Sequence, residues 1–244
     1  MREYTKVKSI TNMIMTGILA TLGGAQAWAV NIASCPFVIS APGYYVVAAN
    51  LTCAGDGITI TASNVSLNLN GHIITGSGPG TGIGIRVQPT SGRLNHVGIS
   101  GPGLIQTFQD GIDVFSTDDA QVSLVTVAGN SNGVGVVGAG VNRLTIGSNV
   151  IARSIVGLKL TGSVNATVTG NQVVGNDFGI LLQAGSGNTF SGNTASGNSS
   201  FGIEIFGNTS RVSSNATNGN GDAGIAIGAG ATGNQIFSNT SSVQ

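Results

Sequence analysis

Charged and aromatic side chains are scarce in this chain: Asp, Glu, Lys and Arg make up 7% of its 244 residues, and Phe, Trp and Tyr 5%. Nine basic residues balance nine acidic ones. No basic stripe is available to follow a phosphate backbone, so a nucleic-acid partner is excluded. Two histidines, His72 and His96, stand apart without a Cys or acidic partner at ligand spacing, which excludes a transition-metal centre. Each reads as a corner residue. The single Trp, Trp28, sits close to the N-terminus, so the strongest stacking platform for a sugar ring is missing from the rest of the chain. Helical periodicity and the Gly-Gly-x-Gly-x-Asp calcium motif are missing too, which points to an all-β chain without a calcium-binding β-roll.

The N-terminus has the pattern of an export signal. Arg2, Lys6 and Lys8 precede a mostly apolar stretch, Ile10 to Gly24, and Ala27-Trp28-Ala29 offers a small-x-small cleavage site. Residues 1–29 are therefore expected to be a signal peptide, and a secreted, periplasmic or cell-surface location is expected with it. The apolar stretch is shorter than the roughly 20 residues a membrane helix needs, and no membrane span is expected once the leader is removed. Loss of Arg2, Lys6, Lys8 and Glu3 leaves six basic and eight acidic side chains. The two cysteines, Cys35 and Cys53, form an even pair in a chain bound for an oxidising compartment, and a disulfide between them is expected. It would pin the first β-layer to the rest of the domain by roughly 3 kcal/mol.

What the chain has in abundance is glycine, 40 residues, much of it periodic. The phrase Gly-aliphatic-x-aliphatic opens at Gly57, Gly82, Gly111, Gly133, Gly157, Gly179, Gly202 and Gly224. Self-similarity at such a period marks a solenoid whose repeats cannot bury an apolar face alone. Pairs such as Ile58 and Ile60, Ile112 and Val114, or Ile203 and Ile205 alternate with other residues, so each phrase is a strand with one aliphatic face. The opening glycine suits a corner that needs positive φ or has no room for a Cβ. Each phrase is succeeded by further short apolar strands, such as Val65-Ser66-Leu67 and Leu144-Thr145-Ile146. Three short strands per turn describe a parallel β-helix of about eight coils over residues 57–244, with coils ~4.8 Å apart. Asn171, Asn193 and Asn215, and likewise Asn176, Asn198 and Asn220, recur at the repeat length and read as structural ladders. Residues 30–56 read as strand, turn, strand, an N-terminal cap over the first coil. No such cover comes after Gly224, so the C-terminal edge is a candidate for homo-association.

The run from Gly57 to Ile74, together with Pro42-Gly43-Tyr44 and the two cysteines, resembles exported right-handed parallel β-helix proteins of the pectate-lyase-like superfamily, and within them the NosD-like or CASH-type repeat proteins. The resemblance covers residues 35 to 244. It implies a right-handed helix and a polysaccharide partner, possibly acidic and uronate-containing, engaged along the first sheet by a binder or by a lyase, hydrolase or epimerase. It also implies that the outward residues of the opening strands form the sugar groove.

If the opening phrases stack, two outward rows result. One is Thr59, Gly84, Asp113, Gly135, Lys159, Leu181, Glu204 and Ala226; the other is Thr61, Arg86, Phe115, Val137, Thr161, Gln183, Phe206 and Gly228. Lys159, Arg86 and Asp113 are the candidate catalytic residues. Arg86 suits a sugar carboxylate, and Lys159 would act as base if burial lowered its pKa. Phe115, Gln183, Glu204, Phe206 and Arg93 are the candidate substrate-binding residues, Arg93 because the longest interval, Gly82 to Gly111, puts a loop there. Phe178 and Phe201 read as a short aromatic stack. Asp110-Gly111-Ile112-Asp113 resembles the first acidic motif of polygalacturonases, but the next phrase, Ser131-Asn132-Gly133-Val134-Gly135, lacks the two aspartates of that family, and the Gly-His and Arg-x-Lys elements that come later in that family are missing after it. No cofactor is evident; Ca²⁺ at Asp110, Asp113 or Asp118 is the one metal option. The alternative reading is a non-catalytic surface or matrix protein that assembles through its last coil.

Overall fold

The computed structural model describes residues 29–130 and 133–242. The expected leader lies almost wholly outside these residues. No helix among the described residues is long and apolar enough to cross a membrane.

The strands stack into three parallel sheets that form the faces of an all-β solenoid of about nine turns. Each turn runs through the first, second and third sheet in order, as in Ile58–Ile60, Val65–Asn68 and Ile73–Gly76. The first sheet has nine strands, the second ten and the third seven. The alternation read from the sequence decides which side chains enter. Ile58, Ile85, Ile112, Val136, Leu158, Ile180 and Ile203 form one internal column, all 0–1% exposed. Burying each such side chain contributes roughly 1.5–3 kcal/mol.

Residues 30–56 are not a separate cap. Val30–Ile32 and Gly43–Val47 join the second sheet, Phe37–Ile39 the first and Leu51–Cys53 the third, all in parallel register. They are the first coil itself, unrecognised because Pro36 takes the place that Gly57 holds one turn later. Cys35 and Cys53 are bridged, with their Cα atoms 5.5 Å apart, which ties the entry of this coil to its third-sheet strand.

Apart from Gly82, at φ +63°, the opening glycines sit at positions where backbone φ is ordinary; space, not φ, selects them. A Cβ on Gly84 would lie 2.6 Å from the carbonyl oxygen of Gly111, and one on Gly202 2.5 Å from that of Gly224. Each coil's first backbone oxygen therefore occupies the volume a side chain would need in the coil before it.

Beside this column run the asparagine ladders. The Nδ2 of Asn149 donates to Oδ1 of Asn171, that of Asn171 to Asn193, and that of Asn193 to Asn215, each at 3.0 Å. The backbone N–H of each also donates to the next Oδ1, and Asn239 continues the row. Asn176, Asn198 and Asn220 repeat the device at the next corner. A third row, Asn188 and Asn234, caps backbone N–H groups of Ala166 and Ser210. All but Asn234 and Asn239 are buried, and their bonds satisfy corner backbone groups that would each cost about 1–3 kcal/mol unpaired. Phe178 and Phe201 stack as expected, with centroids 5.9 Å apart.

Gly202→Ala is expected to destabilise the solenoid by about 1–3 kcal/mol, because its Cβ would press on the carbonyl oxygens of Gly224 and Ala195 and on the side-chain amide of Asn220, which is itself held in the ladder. Gly55→Ala, where a Cβ meets nothing within 4 Å, should be close to neutral. Denaturant titration of both variants checks this.

Candidate functional site

Strand pairing corrects the outward rows. Arg86 pairs with Thr59 on one side and Asp113 on the other, and Val137 lies between Asp113 and Lys159. The first row therefore reads Thr59, Arg86, Asp113, Val137, Lys159, Leu181, Glu204 and Ala226. Gly84 and Gly135, expected in this row, belong to the column of opening glycines. The second row includes Phe115, Ala139 and Thr161, and continues through Gln183 and Phe206. Two coils carry overlapping phrases, Gly82-Ile83-Gly84-Ile85 and Gly133-Val134-Gly135-Val136. The phrase that packs is the second of each, because only there does the glycine face the next coil's carbonyl.

The correction brings Arg86 and Asp113 onto adjacent strands. Asp113 is 2% exposed and its Oδ1 has no hydrogen-bond partner among the described residues; the Nε of Arg86 is likewise buried and unpaired. Arg86 is held from the other side by Asp56, with Nη2 3.3 Å from Oδ2. Asp56 is itself fixed by accepting the backbone N–H of Ile83 at 2.9 Å. Burial raises the Asp113 carboxyl to about 7; Asp110 adds to the rise, Arg86 opposes it and Asp56 adds a smaller push. An unpaired buried acceptor beside an unpaired buried donor is uncommon in a folded chain. Both atoms are enclosed by the chain itself.

Further along the same row, Lys159 is half-buried between Val137 and Leu181, two coils from Asp113 and roughly 10 Å away by strand spacing. Glu204 lies two coils beyond Lys159, its carboxyl pushed up by burial. Phe115, Gln183 and Phe206 line the second row, where Gln183 accepts from the Thr161 hydroxyl at 3.3 Å and Phe206 is exposed. Arg93 is not beside Arg86. It sits at the next corner, paired with Asp118 at 2.6 Å. No group of three or more His, Cys, Asp or Glu among the described residues is placed to hold a metal ion. His72 and His96 lie at corners, His72 beside Asn50 and His96 beside Asp119.

Asp56 was not singled out from sequence. Its signal is the Asp-Gly pair at 56–57, repeated at 110–111 where one coil-opening phrase begins.

The profile of the family described as right handed beta helix region matches residues 83–241. No curated protein matches the chain. Solved structures similar to it include DFA-IIIase from Arthrobacter chlorophenolicus A6 without its lid, at 14% identity and TM-score 0.64, covering 82% of this chain and 61% of that one. A tailspike protein of Dettilon is similar at 17% identity and TM-score 0.62, covering 88% of this chain and 55% of the tailspike. A mutant of the periplasmic alginate epimerase AlgG is similar at 14% identity and TM-score 0.58, covering 82% and 51%. At these identities the likeness is one of fold, and the chain spans between half and two thirds of these proteins' lengths.

The raised pKa of Asp113 fixes the sign of a pH effect. Folding favours the protonated carboxyl, so its cost to stability is absent below the unfolded value of 3.8, grows as pH rises and is complete above about 7. Asp113→Asn is therefore expected to raise the melting temperature relative to wild type at pH 8, and the difference should vanish near pH 4. Thermal melts across that range check it.

Proposed function

We propose that this chain, which belongs to the right-handed β-helix family, engages polysaccharide along the outer face of its first sheet and transfers a proton there through Asp113. The observation that carries this reading is the buried, unpaired Asp113 carboxyl poised near neutral pH beside the unpaired Nε of Arg86. A carboxyl that is protonated at working pH can donate to a glycosidic oxygen as the bond breaks, the role of a general acid. Arg86, oriented by Asp56, would hold the neighbouring sugar oxygen. Asp110, close enough to raise the Asp113 pKa, is the second carboxylate that hydrolysis requires. Lys159 is then a substrate contact on the next part of the row rather than the base. Phe115 and Phe206 offer apolar faces to sugar rings, and Gln183 and Glu204 polar contacts. A similar fold described as a periplasmic alginate epimerase accords with the polysaccharide class, and the disulfide fits an exported chain.

The test uses a panel of neutral and uronate polymers, with reducing ends, unsaturated ends by ultraviolet absorbance, and retention of the protein as readouts. Turnover that falls at least 100-fold in Asp113→Asn, with retention kept, is the expected result. New unsaturated ends that depend on Lys159 and not on Asp113 would overturn the assignment of roles. No turnover with retention lost in Arg86→Gln would leave a binding module.

One observation favours a second reading, a structural protein that assembles end to end. Ile227 and Ile236 occupy inward positions but are 41% and 44% exposed, their strands being paired on one side only among the described residues. On this reading a second copy stacks there, and Ile236→Lys abolishes concentration-dependent association in sedimentation. A wild-type chain that stays monomeric at high concentration contradicts it.

A further inference from the structure

Beyond the first-sheet face, the corner next to it holds an open cleft of about 570 Å³, within the rough 300–1,000 Å³ range of small-ligand sites. It spans three successive coils at the position where Asp118, Asn142 and Val164 bridge in parallel, roughly 10 Å from first to last. Its floor includes Gly162, where a Cβ would meet nothing within 4 Å. Val164, 39% exposed, supplies an apolar wall.

Two features define what fits. The side-chain amides of Asn142 and Asn165 line the cleft and make no hydrogen bond among the described residues, whereas Asn149, Asn171, Asn193 and Asn215 are engaged at both ends in their ladder. A carboxamide carries donor and acceptor side by side, which matches a hydroxyl that is itself both. The charges at this corner, by contrast, are already matched. Arg93 bonds to Asp118 through Nε at 3.1 Å and Nη2 at 2.6 Å, and Arg143 grips both oxygens of Asp119 at 2.6 and 2.8 Å. A carboxylated or sulfated ligand would find no free cation there and would lose hydration without compensation. A polyhydroxylated, uncharged ring with an apolar C–H face is the remaining match.

We propose that this corner cleft is a binding subsite for an uncharged glycosyl unit, separate from the Arg86–Asp113 pair. Asp113 and Asp118 belong to one continuous stretch of chain, at most about 18 Å apart if fully extended. One polymer can therefore reach both. The proposal goes beyond the first-sheet reading and stands or falls without it.

The experiment titrates isotope-labelled protein with short neutral gluco-, galacto-, manno- and fructo-oligosaccharides, with oligogalacturonate and oligomannuronate as charged comparators. Amide shifts at Asn142, Val164 and Asn165 are read by NMR. At least one neutral series should move these amides. Val164→Arg, a change at an exposed position, should weaken that binding at least about tenfold with an unchanged melting temperature. Asn142→Ala should act in the same direction. The inference is overturned if no neutral series moves these amides at millimolar concentration, if Val164→Arg has no effect, or if the uronates bind more tightly. Polymer retention that falls in Arg86→Gln but ignores Val164→Arg would sink the cleft and leave the first-sheet reading intact. Retention that falls in Val164→Arg but not in Arg86→Gln would do the reverse.

Discussion

Close, in-register stacking of one coil on the next is the constraint on which everything else rests. Parallel strands fix the rise between coils at roughly 4.8 Å, and at the starts of the first-sheet strands from Gly57 to Gly202 that spacing puts a carbonyl oxygen where a Cβ would be. Only glycine admits the approach. At the opposite corners the chain turns through tight bends whose backbone N–H groups need acceptors inside the solenoid, and the asparagine rows supply them from the coil above. Glycine and asparagine thus lock the same register from two sides. The aliphatic columns add the bulk of the favourable energy, but columns of similar branched chains tolerate a slip; the glycine and asparagine rows do not.

That register places the chemistry. Because a coil cannot slide, the outward side chain of one strand is fixed beside that of the next, and Arg86 is set against Asp113 with Asp56 behind it. Asp113 takes an outward position in its strand yet is 2% exposed, enclosed by its neighbours at a place where desolvation and the Asp110 charge both disfavour ionisation. The stability this carboxyl removes above neutral pH is the kind of local cost that functional sites carry. On the other side of the corner, paired charges and unpaired carboxamides make a surface of different character. The first-sheet site is ionic and buried; the corner cleft is polar, open and electrically matched.

Much of the fold is legible in the sequence because its determinants are periodic. Ile58, Ile112 and Ile203 declare a buried face by alternation alone, and Asn171, Asn193 and Asn215 declare a corner by recurrence. Where periodicity is ambiguous, the reading slips: Gly82 and Gly84 both open a Gly-aliphatic-x phrase, and sequence offers no measure of which one faces a carbonyl. The slip of two residues moves Arg86 and Val137 to the wrong row and conceals that Arg86 and Asp113 are cross-strand neighbours. The first coil was missed for a related reason, since Pro36 stands where the glycine should be. The Arg93–Asp118 pair and the cleft were out of reach, since they join residues 25 apart in sequence whose meeting depends on loop lengths. Asp56 lay within reach: with the register corrected, its Asp-Gly pair matches that of Asp110.

The central claim is that Asp113 is a buried, ligand-ready acid set by coil register. Its most direct test is a carbon-13 titration of the Asp113 carboxyl in the full chain, with Asp113→Asn to assign the signal. A midpoint near 7 that shifts when a glycan binds is the predicted result. A midpoint in the ordinary carboxylate range, near 4, would mean that the carboxyl is solvated, and the proposed acid and its site would fall together.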